Sequence, residues 1–388
     1  MNALASRFAE RLARAGLTAP GAARIACLDD VLTFSREAPE NDLLAGGVDR
    51  LGVACLMLVP PAEPYRTILE FLAGREAPAI RPRDCETRTF FHDIPVVARP
   101  TAEDVAEALS RRKGAYLPGY GILAHGALSP EQAFITVSSV AFAGFVKFFS
   151  DHLAAHRAGR VDAEARAAFE AAVAHLPPAK ATVPPLARGP FADRDTALAA
   201  MAEAGRATVE LGLVDSVFGN ISYNLDGVLA ISQTGSALDE LPGVIDLCPL
   251  DGSSCAGLTA SSEFSAHAAL ARLDGRRAIL HGHPKFAVIL SMDCTETACQ
   301  NRDACHVACP KARFVDAIPI VPGEVGCGPR GLVHTMPPAL AGRDGVIVCG
   351  HGVFTMGATD FNEALASLCA IETLCRTRYF QALGNIPF

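Results

Sequence analysis

Ala278-Ile279-Leu280-His281-Gly282-His283-Pro284 ends an apolar run in two histidines separated by one glycine. On an extended strand, positions i and i+2 project to the same side, so both imidazoles can reach one ion at the ~2.0–2.1 Å typical of zinc. Paired surface histidines share this spacing, so a metal site needs a third donor from elsewhere in the chain. Val346-Ile347-Val348-Cys349-Gly350-His351-Gly352 offers one, because it ends a second apolar strand in glycines that let the backbone turn tightly beside a ligand. His281, His283 and His351 together would form a three-nitrogen site with an open coordination position.

Working outward, the chain repeats itself. Arg112 to Phe149 can be laid on Arg343 to Phe380 without a gap, pairing Gly114 with Gly345, Gly119 with Gly350, Gly121 with Gly352 and Gly126 with Gly357. Each segment reads as an apolar strand, a glycine-rich turn, a second short strand and a long apolar helix. A second match precedes it, where Cys85 through Phe90 and Ile94-Pro95-Val96-Val97 parallels Cys309 through Phe314 and Ile318-Pro319-Ile320-Val321. Both matches occur in the same order, as expected of a degenerate duplication of one module. Aligning Pro64 with Pro284 places Pro61 and Glu63 opposite His281 and His283, and Tyr120 falls opposite His351, so the first copy should hold no catalytic metal. Between the copies, Pro177-Pro178, Pro184-Pro185 and Pro190 cannot continue a helix or join a central strand. The expected organisation is a non-catalytic domain over 1–155, a proline-rich linker over 156–192 and a catalytic domain over 193–388.

Five ordered elements mark the second copy: Gly219-Asn220-Ile221-Ser222, Ser232-Gln233-Thr234-Gly235-Ser236, Ser261-Ser262-Glu263 with His267, the histidine pair, and His351-Gly352. In order and spacing, roughly Asp195 to Leu383 resembles the class II aldolase/adducin family. The resemblance implies an α/β/α sandwich around a mainly antiparallel sheet, with zinc or another divalent transition metal on His281, His283 and His351. It also implies that Glu263 is a fourth ligand or the proton-transferring group. Gly219, Asn220, Thr234, Gly235, Ser261 and Ser262 would hold a substrate phosphate, which loop amides and hydroxyls can do without Lys or Arg. The same Ser-Ser-Glu residues also suit an ordinary capped helix start, and His267 suits a packed structural histidine on the face of Glu263.

Composition narrows the partners. The net charge of -8 offers no basic field for a nucleic-acid backbone or an anionic membrane surface. Even the apolar stretch Ala133 to Phe149 is interrupted by Ser138, Ser139, Gly144 and Lys147, which predicts no membrane span. Arg7, Arg11 and Arg14 fall on a first amphipathic helix, read as part of the fold and not as a transit peptide. Thirteen cysteines at irregular spacing predict reduced thiols in a cytoplasmic protein. Four of them, Cys294, Cys299, Cys305 and Cys309, crowd one segment as C-x4-C-x5-C-x3-C, a possible second site for zinc or an iron–sulfur cluster that matches no paired C-x2-C pattern.

The function these features predict is a zinc-dependent lyase, assembled as a homo-oligomer. It would perform retro-aldol cleavage or aldol addition on a small hydroxylated, phosphorylated carbonyl compound through a metal-stabilised enediolate. A sugar-phosphate 4-epimerase or dehydratase is the alternative within the same family, and a non-catalytic adducin-like scaffold the alternative of a different class.

Overall fold

The computed structural model describes residues 3–179, 182–215, 217–253, 259–273, 275–296, 298–302 and 304–384. Contacts divide the chain into two units, Met1–Pro177 and Pro178–Phe388.

In the first unit, β1 (Arg24–Leu28), β2 (Leu32–Phe34), β3 (Cys55–Val59), β6 (Gly114–Leu117) and β7 (Gly121–Gly126) form one antiparallel sheet in the order β2-β1-β3-β7-β6. The short strands β4 (Ala79–Ile80) and β5 (Ile94–Pro95) pair separately, and Val96 makes one parallel bridge to Tyr116. The helices are α1 (Ala3–Arg14), α2 (Asn41–Leu51), α3 (Tyr65–Glu76), α4 (Cys85–Phe91), α5 (Ala102–Arg111), α6 (Pro130–Arg157) and α7 (Ala163–Ala174). All five residues of β3 are buried, as a strand covered on both faces requires.

Two expectations change here. Helix α6 is long and apolar enough to cross a membrane, contrary to the sequence-based expectation, but 94% of its apolar window is buried inside the protein. Two of its buried polar residues are satisfied internally: Ser139 Oγ donates to the Ile135 carbonyl at 2.8 Å, and Lys147 pairs with Glu76 at 2.7 Å and Asp151 at 2.8 Å. It is a core helix. The 156–192 segment is not one linker, because α7 buries Phe169, Ala172 and Val173 within the first unit. Of the remainder, Lys180 and Ala181 lie outside the described residues. Leu186 and Gly189 donate backbone N–H groups to Asn362 and Asp360 in the second unit.

The second unit carries β8 (Asn220–Leu225), β9 (Val228–Ser232), β10 (Ile245–Pro249), β11 (Ala278–Gly282), β12 (Arg313–Val315), β13 (Ile318–Val321), β14 (Gly345–Val348) and β15 (Gly352–Gly357). They form one sheet in the order β10-β9-β8-β11-β15-β14-β13-β12, antiparallel except between β13 and β14. Helices α8 (Arg194–Glu210), α9 (Phe264–Leu270), α10 (Lys285–Met292), α11 (Leu332–Leu340) and α12 (Phe361–Ala382) surround it. Alternation along the strands separates the faces. Ile279, Val346, Val348, Phe354 and Met356 join α9 and α11 in one apolar core. On the other face, Gly345 lies beside Thr355 and against Ile371 of α12.

Hydrogen-bond register gives each unit a matching strand pair. Cys55 to Val59 run antiparallel to Gly126 to Ile122, and Ala278 to Gly282 run antiparallel to Gly357 to Val353. Leu58 therefore holds the register position of His281, Val59 that of Gly282, and Pro60 follows where His283 does. This corrects the sequence alignment, which placed Pro61 and Glu63 there. Residues 60–64 join β3 to α3, whereas residues 283–284 alone join β11 to α10, so aligning the two prolines slides the strands out of step. The earlier match of Cys85–Phe90 with Cys309–Phe314 also fails locally, because the first stretch is helical and the second enters a strand.

Candidate metal centre

The three histidines meet where strand ends converge. His281 is the fourth residue of β11, His283 follows the strand, and His351 occupies the turn between β14 and β15, where Gly350 adopts φ 67°. Their donor atoms all lie within 4.8 Å of one another, the one such group of three or more His, Cys, Asp or Glu side chains among the described residues. His281 and His283 approach Nε2 to Nε2 at 2.9 Å. Side chains could not meet this closely without the bare backbone beside them: a Cβ on Gly352 would stand 2.5 Å from the Gly282 carbonyl oxygen and 2.7 Å from His281 Cε1.

Each imidazole is held. His281 Nδ1–H donates to the Val353 carbonyl at 3.0 Å, which leaves the Nε2 lone pair facing the centre. The Phe354 ring stacks on His281 at 4.0 Å between centroids, and Phe218 stacks on His283 at 5.5 Å. His351 is fixed through its turn, where Gly350 N–H donates to Ser291 Oγ at 2.8 Å and His351 N–H to the Val348 carbonyl at 3.1 Å. The rings are 0%, 2% and 8% exposed, so little water competes for them. Burial lowers the pKa of His281 to about 3 and of His283 to about 4, keeping both neutral and able to donate a lone pair.

Glu263 completes the set. It stands at the position preceding α9 with no capping hydrogen bond from its own side chain. Its carboxylate instead turns inward, with Oε2 3.3 Å from His281 Nε2 and Oε1 3.6 Å from His351 Nε2. Burial tends to raise its pKa, but the opposed influence of His281, His351 and the Asn220 hydrogen bond prevails and brings it to about 2. Oε1 is buried with no hydrogen-bond partner. Such an atom is costly to bury unless a cation or proton answers it. Three imidazoles and one ionised carboxylate, closely set, fit a divalent transition metal.

Behind Glu263 runs a buried chain that the sequence did not single out. Asn220 Nδ2 donates to Glu263 Oε2 at 2.6 Å, His267 Nε2 meets Asn220 Oδ1 at 2.5 Å, and Ser222 Oγ meets His267 Nδ1 at 2.7 Å. An ionised carboxylate only accepts, so Asn220 presents its NH2 to Glu263 and its carbonyl to His267. His267 Nε2 must then carry the proton, and the Ser222 hydroxyl donates to Nδ1. Burial lowers the His267 pKa to about 3, consistent with a neutral ring in this one tautomer. The spacings that could have signalled it are His267 four residues after Glu263 on one helix face and Ser222 two residues after Asn220 on one strand face. Asn220, expected as a phosphate donor, has both side-chain amide atoms committed to this chain.

Of the other expected phosphate residues, Thr234, Gly235, Ser261 and Ser262 lie at the loops after β9 and before α9. Thr234 N–H donates to the Thr259 carbonyl and Ser261 N–H to the Ser232 carbonyl, both at 3.0 Å, and Thr234 Oγ1 donates to the Ala260 carbonyl at 3.0 Å. Thr234, Gly235 and Ser262 are exposed, while Ser261 is buried and accepts from Glu263 N–H at 3.3 Å. Gly219 adopts φ +82°, and a Cβ there would stand 2.6 Å from the His281 carbonyl oxygen. That glycine is needed for close packing under the histidine strand. Cys294, Cys299, Cys305 and Cys309 fall in residues 293–312, whose described residues form no helix or strand.

Comparison with known proteins places this geometry. Residues 199–379 match the family described as Class II Aldolase and Adducin N-terminal domain. Among solved structures, an L-fuculose-1-phosphate aldolase from Thermus thermophilus is similar at 22% identity and a TM-score of 0.39, over 49% of this chain and 96% of that one. A sugar-phosphate aldolase from Thermotoga maritima is similar at 20% identity and a TM-score of 0.36, over 50% of this chain and 98% of that one. A search of curated proteins found no match. By its matched domain, the second unit of this chain belongs to the class II aldolase and adducin family.

Proposed function

We propose that the second unit is a metal-dependent lyase that performs retro-aldol cleavage, or the reverse addition, on a small hydroxylated and phosphorylated carbonyl compound. The observation that carries it is the buried, ionised Glu263 set against three histidines whose donor atoms lie within 4.8 Å of one another. A divalent ion such as zinc, held by His281, His283 and His351, would supply Lewis acidity toward a substrate oxygen. Glu263 Oε1, with no hydrogen-bond partner of its own, takes the substrate proton, while Asn220 keeps the carboxylate from rotating. His267 and Ser222 hold Asn220 in turn. The exposed Gly235 amide and the Ser262 hydroxyl and amide suit the phosphate, whereas both donors of Thr234 are already given to the Thr259 and Ala260 carbonyls. A panel of ketose and aldose phosphates, assayed for aldehyde release and separately for epimer formation, tests the reaction. Epimer without aldehyde would replace it.

We also infer that the first unit is a shortened, non-catalytic relative of the same module. Support comes from matched detail beyond strand order. Ile25 N–H donates to Ser35 Oγ at 3.1 Å as Ile221 N–H donates to Ser232 Oγ at 3.2 Å. A Cβ on Gly121 would lie 2.3 Å from the Val59 carbonyl oxygen, as one on Gly352 would lie 2.5 Å from that of Gly282.

A further inference from the structure

Residues 293–312 form a long connection between α10 and β12 in which the described residues form no helix or strand, and none of them is buried. Loops of more than ~12–15 residues without structure of their own are uncommon in compact domains. A segment without an apolar core generally needs a covalent or metal staple to offset its ordering entropy. This one is nevertheless wound into turns: Arg302 N–H donates to the Cys299 carbonyl at 3.2 Å, Ala304 N–H to the Asn301 carbonyl at 3.0 Å and Ala308 N–H to the Ala304 carbonyl at 3.1 Å. Asn301 Nδ2 reaches the Ala308 carbonyl at 3.3 Å, and Cys305 Sγ donates to the Asn301 carbonyl at 3.4 Å.

The winding gathers thiols. Cys294, Cys299, Cys305 and Cys309 are all free, three of them half-buried and Cys294 exposed. Burial raises the Cys305 pKa, and Cys309, Cys294 and Cys299 are all near enough to raise it further, while Arg313 acts the other way. Arg313 also ties both ends of the segment to the sheet, donating to the Asp293 carbonyl at 2.8 Å and to Cys349 Sγ at 3.5 Å.

Spacing discriminates between occupants. Tetrahedral zinc with bonds of about 2.3 Å sets its sulfurs about 3.8 Å apart. The catalytic histidines already stand within 4.8 Å of one another, but no three of these cysteines belong to a group that close. A cube of four irons and four sulfides carries its thiolates at the corners, farther apart than one ion can. We propose that Cys294, Cys299, Cys305 and Cys309 hold a four-iron, four-sulfide cluster that staples residues 293–312 beside the strand end leading to His351. Each thiol releases its proton on binding. With all four irons ligated by cysteine, the cluster has no open position for substrate, and its role is structural.

The test uses the full chain, produced with added iron and cysteine without oxygen, or incubated without oxygen with sulfide and equal amounts of ferrous and ferric iron, which supply the cluster's mixed valence. Iron, acid-labile sulfide and zinc are measured per chain alongside the visible spectrum. The expected result is about four irons and four sulfides with a brown absorption band. Both should be lost in Cys299→Ser/Cys305→Ser and kept in Cys327→Ser and His281→Leu. Should the double variant fail to fold, Cys294→Ser at the exposed position is expected to fall to about three irons per chain. Stoichiometric zinc without sulfide, all four irons retained by the cysteine variants, or no metal beyond one ion at the histidines would each overturn the proposal.

Discussion

Two hairpins, Gly114–Gly126 in the first unit and Gly345–Gly357 in the second, share strand lengths, a glycine-bearing turn, a following long helix and an antiparallel neighbour strand. One displays Leu58, Val59, Pro60 and Tyr120 where the other displays His281, Gly282, His283 and His351. Leu58 and Val59 are fully buried and Tyr120 is 38% exposed. On the proposed kinship of the two units, the contrast teaches that such a scaffold does not need a metal site, since the matching strands of the first unit are satisfied by apolar side chains. Chemistry depends on a few residues at strand ends, and stability on the register beneath them.

The comparison breaks most visibly if the histidine strand is rewritten in the first unit's terms. His281→Leu should leave the circular dichroism spectrum intact, remove the bound divalent ion and lower aldehyde release by about 10³-fold or more, because the ion's several kcal/mol of charge stabilisation is lost. An unfolded variant would show that the site supports the scaffold after all. Glu263→Gln keeps three imidazoles and is expected to retain the ion while kcat falls about 10²–10⁴-fold. Loss of the ion would instead make Glu263 chiefly a ligand.

Acidification supplies the next test, on metal-free protein. His267, His281 and His283 have folded pKa values lowered from 6.5 to about 3, 3 and 4, so the unfolded chain takes up their protons first. Their contribution is complete above pH 6.5 and drains as pH falls toward 3–4, at roughly 1.4 kcal/mol per pH unit for each proton. Glu263, lowered from 4.5 to about 2, acts in the same direction in a lower window, lost as pH falls from 4.5 through 2. The melting temperature should drop between pH 6.5 and 4.5, less steeply in His281→Leu, and a parallel slope would contradict the assignment.

Asn220→Ala strands Glu263 Oε2 and His267 Nε2 in a buried site, and should cost about 2–3 kcal/mol in denaturant unfolding. The finest comparison is Ser35→Ala against Ser232→Ala, which remove corresponding hydrogen bonds to Ile25 and Ile221. Each should destabilise its own unit by about 1–3 kcal/mol. A large effect in one alone would weaken the equivalence.

Much of this arrangement was legible in the residues. His281, His283 and His351 announce themselves through i, i+2 geometry and glycines, and the Arg112–Phe149 and Arg343–Phe380 segments fold as their periodicity predicts. Register was less legible, because Pro64 and Pro284 look equivalent while the loops before them differ in length. A long-range chain such as Ser222–His267–Asn220–Glu263 was hidden for another reason: each link is an ordinary polar residue until a sheet and a helix bring them together. Burial of α6 also escaped the sequence, since an apolar helix looks alike in a protein core and in lipid.

Stacking on Phe354, the Val353 carbonyl and the crowding at Gly352 hold the imidazole of His281 in its working pose before any ion arrives. Preassembly of that kind makes capture fast and undiscriminating. A nitrogen-rich vestibule would rank first-row ions by their intrinsic order of affinity and not by shape, so on the proposed reading the identity of the metal would be handed to cellular supply.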